Sequence, residues 1–355
     1  MSGWFDAEGF RDLVTGRRRG AAAAALRAAL RIVETPYAWA MNRRNRWYDA
    51  HPAAARRIAA PVVSVGNLTL GGTGKTPLVA WLARWFLARG LRVAIVSRGY
   101  KGRSGQPNDE AIELSQRLPG VPHVQNPDRV AAAAEAIERH AAQVVVLDDG
   151  FQHRRLARDL DIVLLDALDP FGGEHVFPRG LLREPLSGLR RADVVVLSRA
   201  DAIAADARRE LRARVEALAP DALWLEAAHA PRALLAADGR EEPIATLAGR
   251  PVAAFCGIGN PAGFRHTLSA CGLQLAAFRA FADHCPFDAR PLAELGDWLA
   301  REAAAAAPAA VVCTQKDLVK LNRSELAGLP LWALAVETAF LGETSPLEQR
   351  LKKLL

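Results

Sequence analysis

The stretch PVVSVGNLTLGGTGKTP, residues 61–77, joins an apolar, β-branched run to a glycine-rich turn that ends in Lys75 and Thr76. Helical periodicity follows from Pro77 and is closed by Gly90. A strand, a tight loop and a helix in this order place backbone N–H groups and a helix N-terminus around an anion. The stretch therefore predicts a phosphate-binding loop.

Individual loop positions have distinct predicted roles. Lys75 supplies a point charge for the β- and γ-phosphates of a nucleotide, and the Thr76 hydroxyl can ligate Mg²⁺. The full pattern GxxxxGK[ST] needs glycine at position 69, where this chain has threonine. The remaining glycines still allow a tight turn, and a chance glycine-rich turn is the alternative. We expect the nucleotide to contact Thr69, Gly71, Gly72, Thr73, Gly74, Lys75 and Thr76.

A pair of acidic residues ends the apolar run VVVLDDG, residues 144–150. Two carboxylates at the exit of a buried strand are costly unless a partner compensates them, and a Mg²⁺-nucleotide would do so. Asp148 or Asp149 is therefore the predicted acid that holds Mg²⁺ beside Thr76. The alternative is a carboxylate pair that only caps a turn.

The order of apolar and helical stretches predicts the fold class. Apolar runs alternate with helical patterns, and strands are predicted near 61–66, 91–97, 143–149, 161–166 and 193–198. Such alternation is typical of a mostly parallel sheet covered by helices on both faces. From about residue 229 a second α/β series follows. We therefore predict an N-terminal helical segment at 1–50, a phosphate-binding domain at 51–228 and a smaller α/β domain at 229–355.

Charge and cysteine usage restrict the class of protein. The formal net charge is +7, and residues 1–48 hold nine arginines against four acidic residues. A local basic excess attracts nucleic acid, anionic lipid or an acidic substrate without choosing among them. The four cysteines stand singly, with no CxxC pair, which fits a reducing, cytosolic setting. No secretory signal and no uninterrupted apolar span of about 18 residues is evident.

The stretch GAAAAALRAALRIVETPYAWAM, residues 20–41, has apolar residues at helical spacing, and Trp39, Trp47 and Tyr48 lie among arginines. This arrangement suits an amphipathic helix that lies in a membrane interface. The alternative is a helix packed on its own domain with a solvated basic face. The residues alone leave both open.

Several motifs, in order along the chain, carry a resemblance to a known family: SVGNLTLGGTGKTP, SRGYKG (97–102), LDDGFQHRRL (147–156), LLREP (181–185), CGIGNP (256–261) and FADHCPF (281–287). In these motifs the chain resembles the tetraacyldisaccharide 4'-kinases, which phosphorylate the 4'-hydroxyl of an acylated glucosamine disaccharide in the lipid A pathway. The resemblance covers nearly the whole chain. It implies a RecA-like P-loop NTPase domain, a smaller C-terminal α/β domain and a helix on the cytoplasmic face of the inner membrane, with ATP and Mg²⁺ as cofactors.

The resemblance also implies a catalytic acid and its partner. In NDEA, residues 108–111, Asp109 matches the family's acid, and His284 in DHCPF matches the histidine that works with it. An acid within reach can accept the proton of a sugar hydroxyl while a histidine orients it. The alternatives are that Asp109 caps a helix and that His284 is a packing residue.

A third group of roles concerns charge. Arg183 and Glu184 match the Arg-Glu of the family motif, in which the Glu is implicated near Mg²⁺. Stabilisation of the transferring phosphoryl group would come from Lys75, Mg²⁺ and Arg183. The predicted catalytic set is Asp109, His284, Lys75, Asp149 and Arg183, and the predicted metal set is Thr76, Asp148, Asp149 and Glu184.

Two functions compete on this evidence. The first is an ATP-dependent kinase for tetraacyldisaccharide 1-phosphate at the inner membrane surface, with no nucleic-acid or protein partner. The second is a membrane-recruited switch ATPase or GTPase, which needs no acceptor machinery. VLSRAD (196–201) and VVCTQKD (311–317) loosely resemble the guanine-reading NKxD motif. Strand-end aspartates that cap the next helix are the alternative interpretation of both.

Overall fold

The computed structural model describes residues 7–99 and 109–355 and divides the chain into two units. Unit 1 comprises the described residues of Met1–Pro107, Leu114–Ala228 and Ala339–Leu355, and unit 2 those of Asn108–Glu113 and His229–Thr338. The smaller domain expected from the sequence, 229–355, differs from unit 2 at its end, because the last long strand passes from residues of unit 2 to residues of unit 1. The end of the SRGYKG motif and Asn108 lie outside the described residues.

Apolar, β-branched runs form the parallel sheet of unit 1, in the order β7-β6-β5-β1-β4-β2-β3. Five of its strands are buried along their whole length, as expected for a sheet covered on both faces. The strands are β1 (Val62–Asn67), β2 (Val93–Ser97), β3 (His123–Gln125), β4 (Val144–Asp148), β5 (Leu160–Asp166), β6 (Val194–Ser198) and β7 (Leu223–Leu235), of which β7 continues into unit 2.

Helices of unit 1 bury apolar faces against this sheet. On α3, the side chains of Leu78, Leu82 and Phe86 pack with Val63 and Ile95 of the sheet in one core cluster. Asp128 caps the next long helix of the unit by accepting hydrogen bonds from two backbone N–H groups. The first six helices are α1 (Ala7–Val14), α2 (Ala21–Ala50), α3 (Lys75–Leu87), α4 (Asp109–Arg117), α5 (Arg129–His140) and α6 (Ala205–Leu218), and α4 contains residues of both units.

The strands of unit 2 are parallel in the order β10-β9-β11-β13, with β12 antiparallel to β13. Its core includes Phe255, Phe287 and Trp298. The remaining elements are β8 (Glu241–Glu242), β9 (Pro251–Cys256), α7 (Pro261–Ala270), β10 (Gln274–Ala280), α8 (Ala289–Trp298), β11 (Ala310–Thr314), α9 (Gln315–Leu321), β12 (Glu325–Leu326), β13 (Leu329–Phe340) and α10 (Ser345–Lys352), which belongs to unit 1.

The longest helix is α2, which spans 30 residues with Pro36 inside it. Its apolar residues are interrupted by charged ones. Among the described residues, no helix combines the length and the hydropathy needed to cross a bilayer.

Candidate functional site

The loop between β1 and α3 has the backbone shape of an anion site. Gly71 and Gly74 have left-handed backbones, with φ of 111° and 86°, a conformation that favours glycine. Gly74 is the N-cap of α3, so Lys75 and Thr76 are the first residues of the helix. The N–H groups of this first turn have no partners within the helix and are available to a phosphate.

Thr69, the departure from the glycine pattern, fits its position. It is not among the residues with a positive φ, so a side chain causes no backbone strain there. Thr69 forms an antiparallel bridge with Leu182, and its carbonyl accepts a 2.7 Å hydrogen bond from the Asn67 side chain. The first half of the loop is therefore held by the backbone of Leu182 and the side chain of Asn67.

The second half of the loop is held by the VLSRAD stretch. Ser198 donates through Oγ to the Thr73 carbonyl at 2.8 Å. The Arg199 guanidinium lies 3.4 Å from the Gly72 carbonyl and forms a buried ion pair with Asp166 at 2.7 Å. Two residues of a stretch that loosely resembles a base-reading motif thus support the backbone of the phosphate loop.

Three predicted catalytic side chains meet beside the loop. The Lys75 ammonium lies 3.3 Å from an Asp149 carboxylate oxygen, and Arg183 Nη1 lies 2.8 Å from both oxygens of that carboxylate. Burial would raise the pKa of Asp149, but the charges and hydrogen bonds of Lys75 and Arg183 outweigh burial and hold the pKa well below its usual range. Asp149 is therefore ionised at neutral pH.

The turn that carries the Asp pair is tightly packed. Asp148 is the last residue of β4 and is buried, and Asp149 has a left-handed backbone with φ of 56°, which is uncommon for a residue with a side chain. A Cβ added at Gly150 would lie 2.6 Å from Ser64 Oγ. Packing thus forces the turn and fixes where the two carboxylates lie.

Glu184 lies one residue beyond Arg183 and is almost fully buried, at 1% exposure. Arg191 Nη2 lies 2.9 Å from both of its carboxylate oxygens. Gln152 Nε2 donates to one oxygen at 3.1 Å, and Asn45 Nδ2 of α2 donates to the other at 2.6 Å. The structure places Glu184 in a hydrogen-bond network of protein groups, and the sequence assigned it to Mg²⁺.

The side chains around the loop can be tested for fit to Mg²⁺. Among the described residues, no group of three or more His, Cys, Asp or Glu side chains is placed to hold a metal ion. The turn nevertheless offers the carboxylates of Asp148 and Asp149, and α3 offers the Thr76 hydroxyl. These are the hard oxygen donors that Mg²⁺ prefers when phosphates and water complete its shell. These residues fit an Mg²⁺ ion that is bound together with a nucleotide. Among the described residues they do not form a site that would hold the ion with protein ligands alone.

A second set of predicted residues meets within unit 2. Asp109 is the first residue of α4, and its Oδ2 lies 3.8 Å from His284 Nδ1 and 3.8 Å from Lys320 Nζ. Lys316 Nζ lies 3.4 Å from the other ring nitrogen of His284. His284 has a left-handed backbone, with φ of 60°, and such strain is found at functional sites. The predicted acid and histidine are thus brought together.

The VVCTQKD stretch supports this cluster. Asp317 has 0% exposure and accepts hydrogen bonds from the Gly257 N–H at 2.9 Å, the Thr314 hydroxyl at 2.7 Å and Lys320 at 3.1 Å. The Gly257 carbonyl in turn accepts the backbone N–H of His284 at 3.2 Å. All these donors to the Asp317 carboxylate belong to unit 2, so Asp317 supports the backbone and side chains around the cluster.

Sequence reasoning did not single out several residues that touch the predicted ones. In unit 1 these are Asn45, Asn67, Gln152, Arg191 and Arg199, and in unit 2 they are Lys316, Lys320 and Asp317. Asn67, Gln152, Arg199, Lys316 and Asp317 lie inside motifs quoted from the sequence. Their position inside these motifs could have identified them as site residues. Asn45 gives no comparable local signal, because its partner is distant in the chain.

Known proteins resemble this chain over nearly its whole length. Residues 26–355 match the family model described as tetraacyldisaccharide-1-P 4'-kinase. A tetraacyldisaccharide 4'-kinase of Anaeromyxobacter dehalogenans strain 2CP-C is 45% identical, and the match covers 86% of this chain and 84% of that protein. One from Geobacter sulfurreducens is 39% identical, and the match covers 98% of each chain.

A solved structure has the same fold. It is a crystal structure of the apo form of LpxK from Aquifex aeolicus in complex with ATP, with a TM-score of 0.71 and 30% sequence identity. The match covers 93% of this chain and 99% of that one. The predicted α/β fold of the P-loop NTPase type is thereby confirmed.

Proposed function

This chain belongs to the tetraacyldisaccharide-1-P 4'-kinase family, and on that premise we propose that it transfers the γ-phosphoryl group of ATP to the 4'-hydroxyl of tetraacyldisaccharide 1-phosphate. The family match over residues 26–355 carries the proposal. In the reaction, the acceptor oxygen forms a bond to the γ-phosphorus while the bond between that phosphorus and the β,γ-bridging oxygen breaks. ADP leaves, and the hydroxyl proton passes to a base.

Unit 1 binds the phosphates in this proposal. The N–H groups of the loop 71–76 and the Lys75 ammonium bind the β- and γ-phosphates. Arg183 supplies positive charge where the phosphoryl group transfers, and its ion pair with Asp149 at 2.8 Å fixes the direction of its guanidinium. The contacts of Thr69, Thr73 and Gly72 with neighbouring groups hold the loop in shape before the nucleotide binds.

Thr76, Asp148 and Asp149 would hold Mg²⁺, directly or through water. When bound, the ion neutralises charge on the phosphate oxygens. Glu184, with its donors Asn45, Gln152 and Arg191, orients Gln152, whose Oε1 lies 3.5 Å from Arg183 Nη1.

Unit 2 supplies the base in this proposal. Asp109 accepts the proton of the 4'-hydroxyl, and His284 orients its carboxylate. Lys316 and Lys320 keep Asp109 ionised through their positive charges. A switch protein would need no such cluster, which supports the kinase over that alternative.

We further propose that α2 lies on the cytoplasmic face of the inner membrane. Ile32, Trp39, Arg43 and Trp47 recur at spacings that place them on one face of a helix, and the three apolar members are 76%, 62% and 49% exposed. Arg43 lies over the Trp39 ring. Exposed aromatic, aliphatic and basic side chains on one face favour the interface of an anionic bilayer.

The proposal is tested by incubating the purified protein with γ-labelled ATP and tetraacyldisaccharide 1-phosphate in detergent micelles and separating the lipids. We expect label in the lipid and little ATP hydrolysis without it. Equal ATP turnover with and without the acceptor, and no labelled lipid, would contradict the proposal. Omission of Mg²⁺ with excess chelator should abolish transfer.

A further inference from the structure

One face of α2 contacts the segment that bears Arg183, and these contacts suggest a task beyond membrane binding. We propose that Asn45 of α2 is a positioning residue for the phosphate-transfer site, acting through Glu184 on Gln152 and Arg183. The inference rests on the proposed kinase function and adds a specific residue to it.

The first step is the contact itself. Asn45 Nδ2 donates to Glu184 Oε2 at 2.6 Å, and Glu184 is 1% exposed. A buried carboxylate that accepts several hydrogen bonds is fixed by all its donors, and the loss of one leaves an acceptor short of a partner. Space around Glu184 is also tight, since a Cβ at Gly188 would lie 2.6 Å from Glu184 Oε2.

The second step connects Glu184 to the phosphate loop. Gln152 Nε2 lies 3.1 Å from Glu184 Oε1 and 2.9 Å from the carbonyl of Asn67, the last residue of β1. The Asn67 side chain is in turn 3.3 Å from Lys75 Nζ. Glu184 therefore contacts a side chain that reaches the start of the phosphate loop.

The third step is that α2 also holds the backbone around these groups. The Tyr37 hydroxyl donates to the Arg183 carbonyl at 3.2 Å, and Arg44 donates to the Gln152 carbonyl. The Asn45 carbonyl accepts from Arg154 at 2.7 Å. These contacts lie on the side of α2 away from Ile32 and Trp39, so one helix can bind a membrane with one face and order the transfer site with the other.

The test compares Asn45→Leu with Asn42→Leu, the same change one turn earlier on α2, where no side-chain hydrogen bond is found among the described residues. Leucine has the same number and branching of side-chain heavy atoms as asparagine but cannot donate to Glu184. Transfer is measured in micelles, and amide hydrogen exchange is measured over residues 149–153 and 181–186. For Asn45→Leu we expect kcat to fall roughly tenfold to a hundredfold, KM for the glycolipid to change less than about twofold, and exchange over both segments to accelerate. Asn42→Leu should alter none of these.

Further measurements distinguish a failure of this inference from a failure of the proposed kinase function. In a double-mutant cycle with Glu184→Gln, the effects of the two substitutions should combine to less than their product, since both act through one contact. Unchanged kcat and unchanged exchange in Asn45→Leu would overturn the inference, as would a raised KM with intact kcat, which indicates lipid binding instead. If the wild type transfers no phosphate, the proposed function fails, and the exchange measurement still decides whether Asn45 orders residues 181–186.

Discussion

Lys320 Nζ lies 3.8 Å from Oδ2 of Asp109, and the Lys320 side chain is only 4% exposed. Burial would raise the pKa of Asp109, but the hydrogen bond from His284 and the charges of Lys320 and Lys316 outweigh burial and lower it. The facing acids are Glu110 and Asp283, which lie within 4 Å of Lys316, and Asp317, which lies 3.1 Å from Lys320. The cluster therefore keeps Asp109 ionised, ready to accept a proton.

Removing either lysine charge should move the acid limb of the pH–rate profile. Activity that needs ionised Asp109 is lost as pH falls through its pKa, and the loss of a positive neighbour raises that pKa. We therefore expect the acid limb of kcat/KM to shift to higher pH in Lys316→Met and in Lys320→Met, measured with ATP and glycolipid from pH 4 to 9. Lys316→Arg keeps the charge and should keep the wild-type limb. Lys353→Met, at an exposed lysine of unit 1, serves as the control, and an unmoved limb in both test variants would refute this function of the two lysines.

Neutralising the charges around Asp149 should lower kcat more than it raises KM for ATP. Lys75→Met and Arg183→Met each remove positive charge where the phosphoryl group transfers, and loss of one such donor lowers kcat by about 10²–10³-fold.

Asp109→Asn should likewise lose most of kcat with ATP binding intact. Steady-state kinetics and a nucleotide-binding titration together give the two quantities. Wild-type kcat in Asp109→Asn would remove the base assignment and leave the kinase assignment standing.

Local sequence patterns predicted the elements that position the phosphate site. The run VVSVGN became β1, and VVVLD became β4, because side chains buried on both faces leave a continuous apolar signal. The tight turn of the loop could also be predicted from its glycines, because Gly71 and Gly74 have backbone conformations that other residues rarely adopt. Thr69 broke the expected pattern, and its position explains why: it does not have the left-handed backbone that requires glycine.

Contacts between distant residues could not be predicted in the same way. Asn45 and Glu184 are 139 positions apart. The local sequence around either residue does not predict that α2 packs on the segment after Arg183. The same holds for Lys320 and Asp109. Family resemblance identified Glu184 and placed it near Mg²⁺, which stays a prediction, but it gave no sign of the three protein donors around the Glu184 carboxylate. Such partners are determined by packing between distant segments, which cannot be predicted from local patterns in a single sequence.

A methyl group at Gly150 should destabilise unit 1. The added Cβ would lie 2.5 Å from Leu147 Cδ2 and 2.6 Å from Ser64 Oγ, inside the buried turn that carries Asp148 and Asp149. Overpacking of this kind costs about 1–3 kcal/mol, which we expect as a lower free energy of unfolding for Gly150→Ala in denaturant titration. Gly72→Ala is the matched control, because nothing lies within 4 Å of its added Cβ. Equal stability of the two variants would mean that the turn can relax at little cost.

The exposed face of α2 should govern membrane binding separately from catalysis. Deletion of the whole helix cannot show this, because it would also remove Asn45 and Tyr37 from the transfer site. We expect Ile32→Ser and Trp39→Ala each to weaken sedimentation with vesicles of anionic phospholipid by about tenfold, since each removes roughly 1.5–3 kcal/mol of apolar burial. Leu341→Ser, at a residue 47% exposed outside α2, is the control. If the α2 variants sediment like the wild type while Leu341→Ser does not, the membrane-facing surface lies elsewhere on unit 1, and α2 serves the transfer site alone.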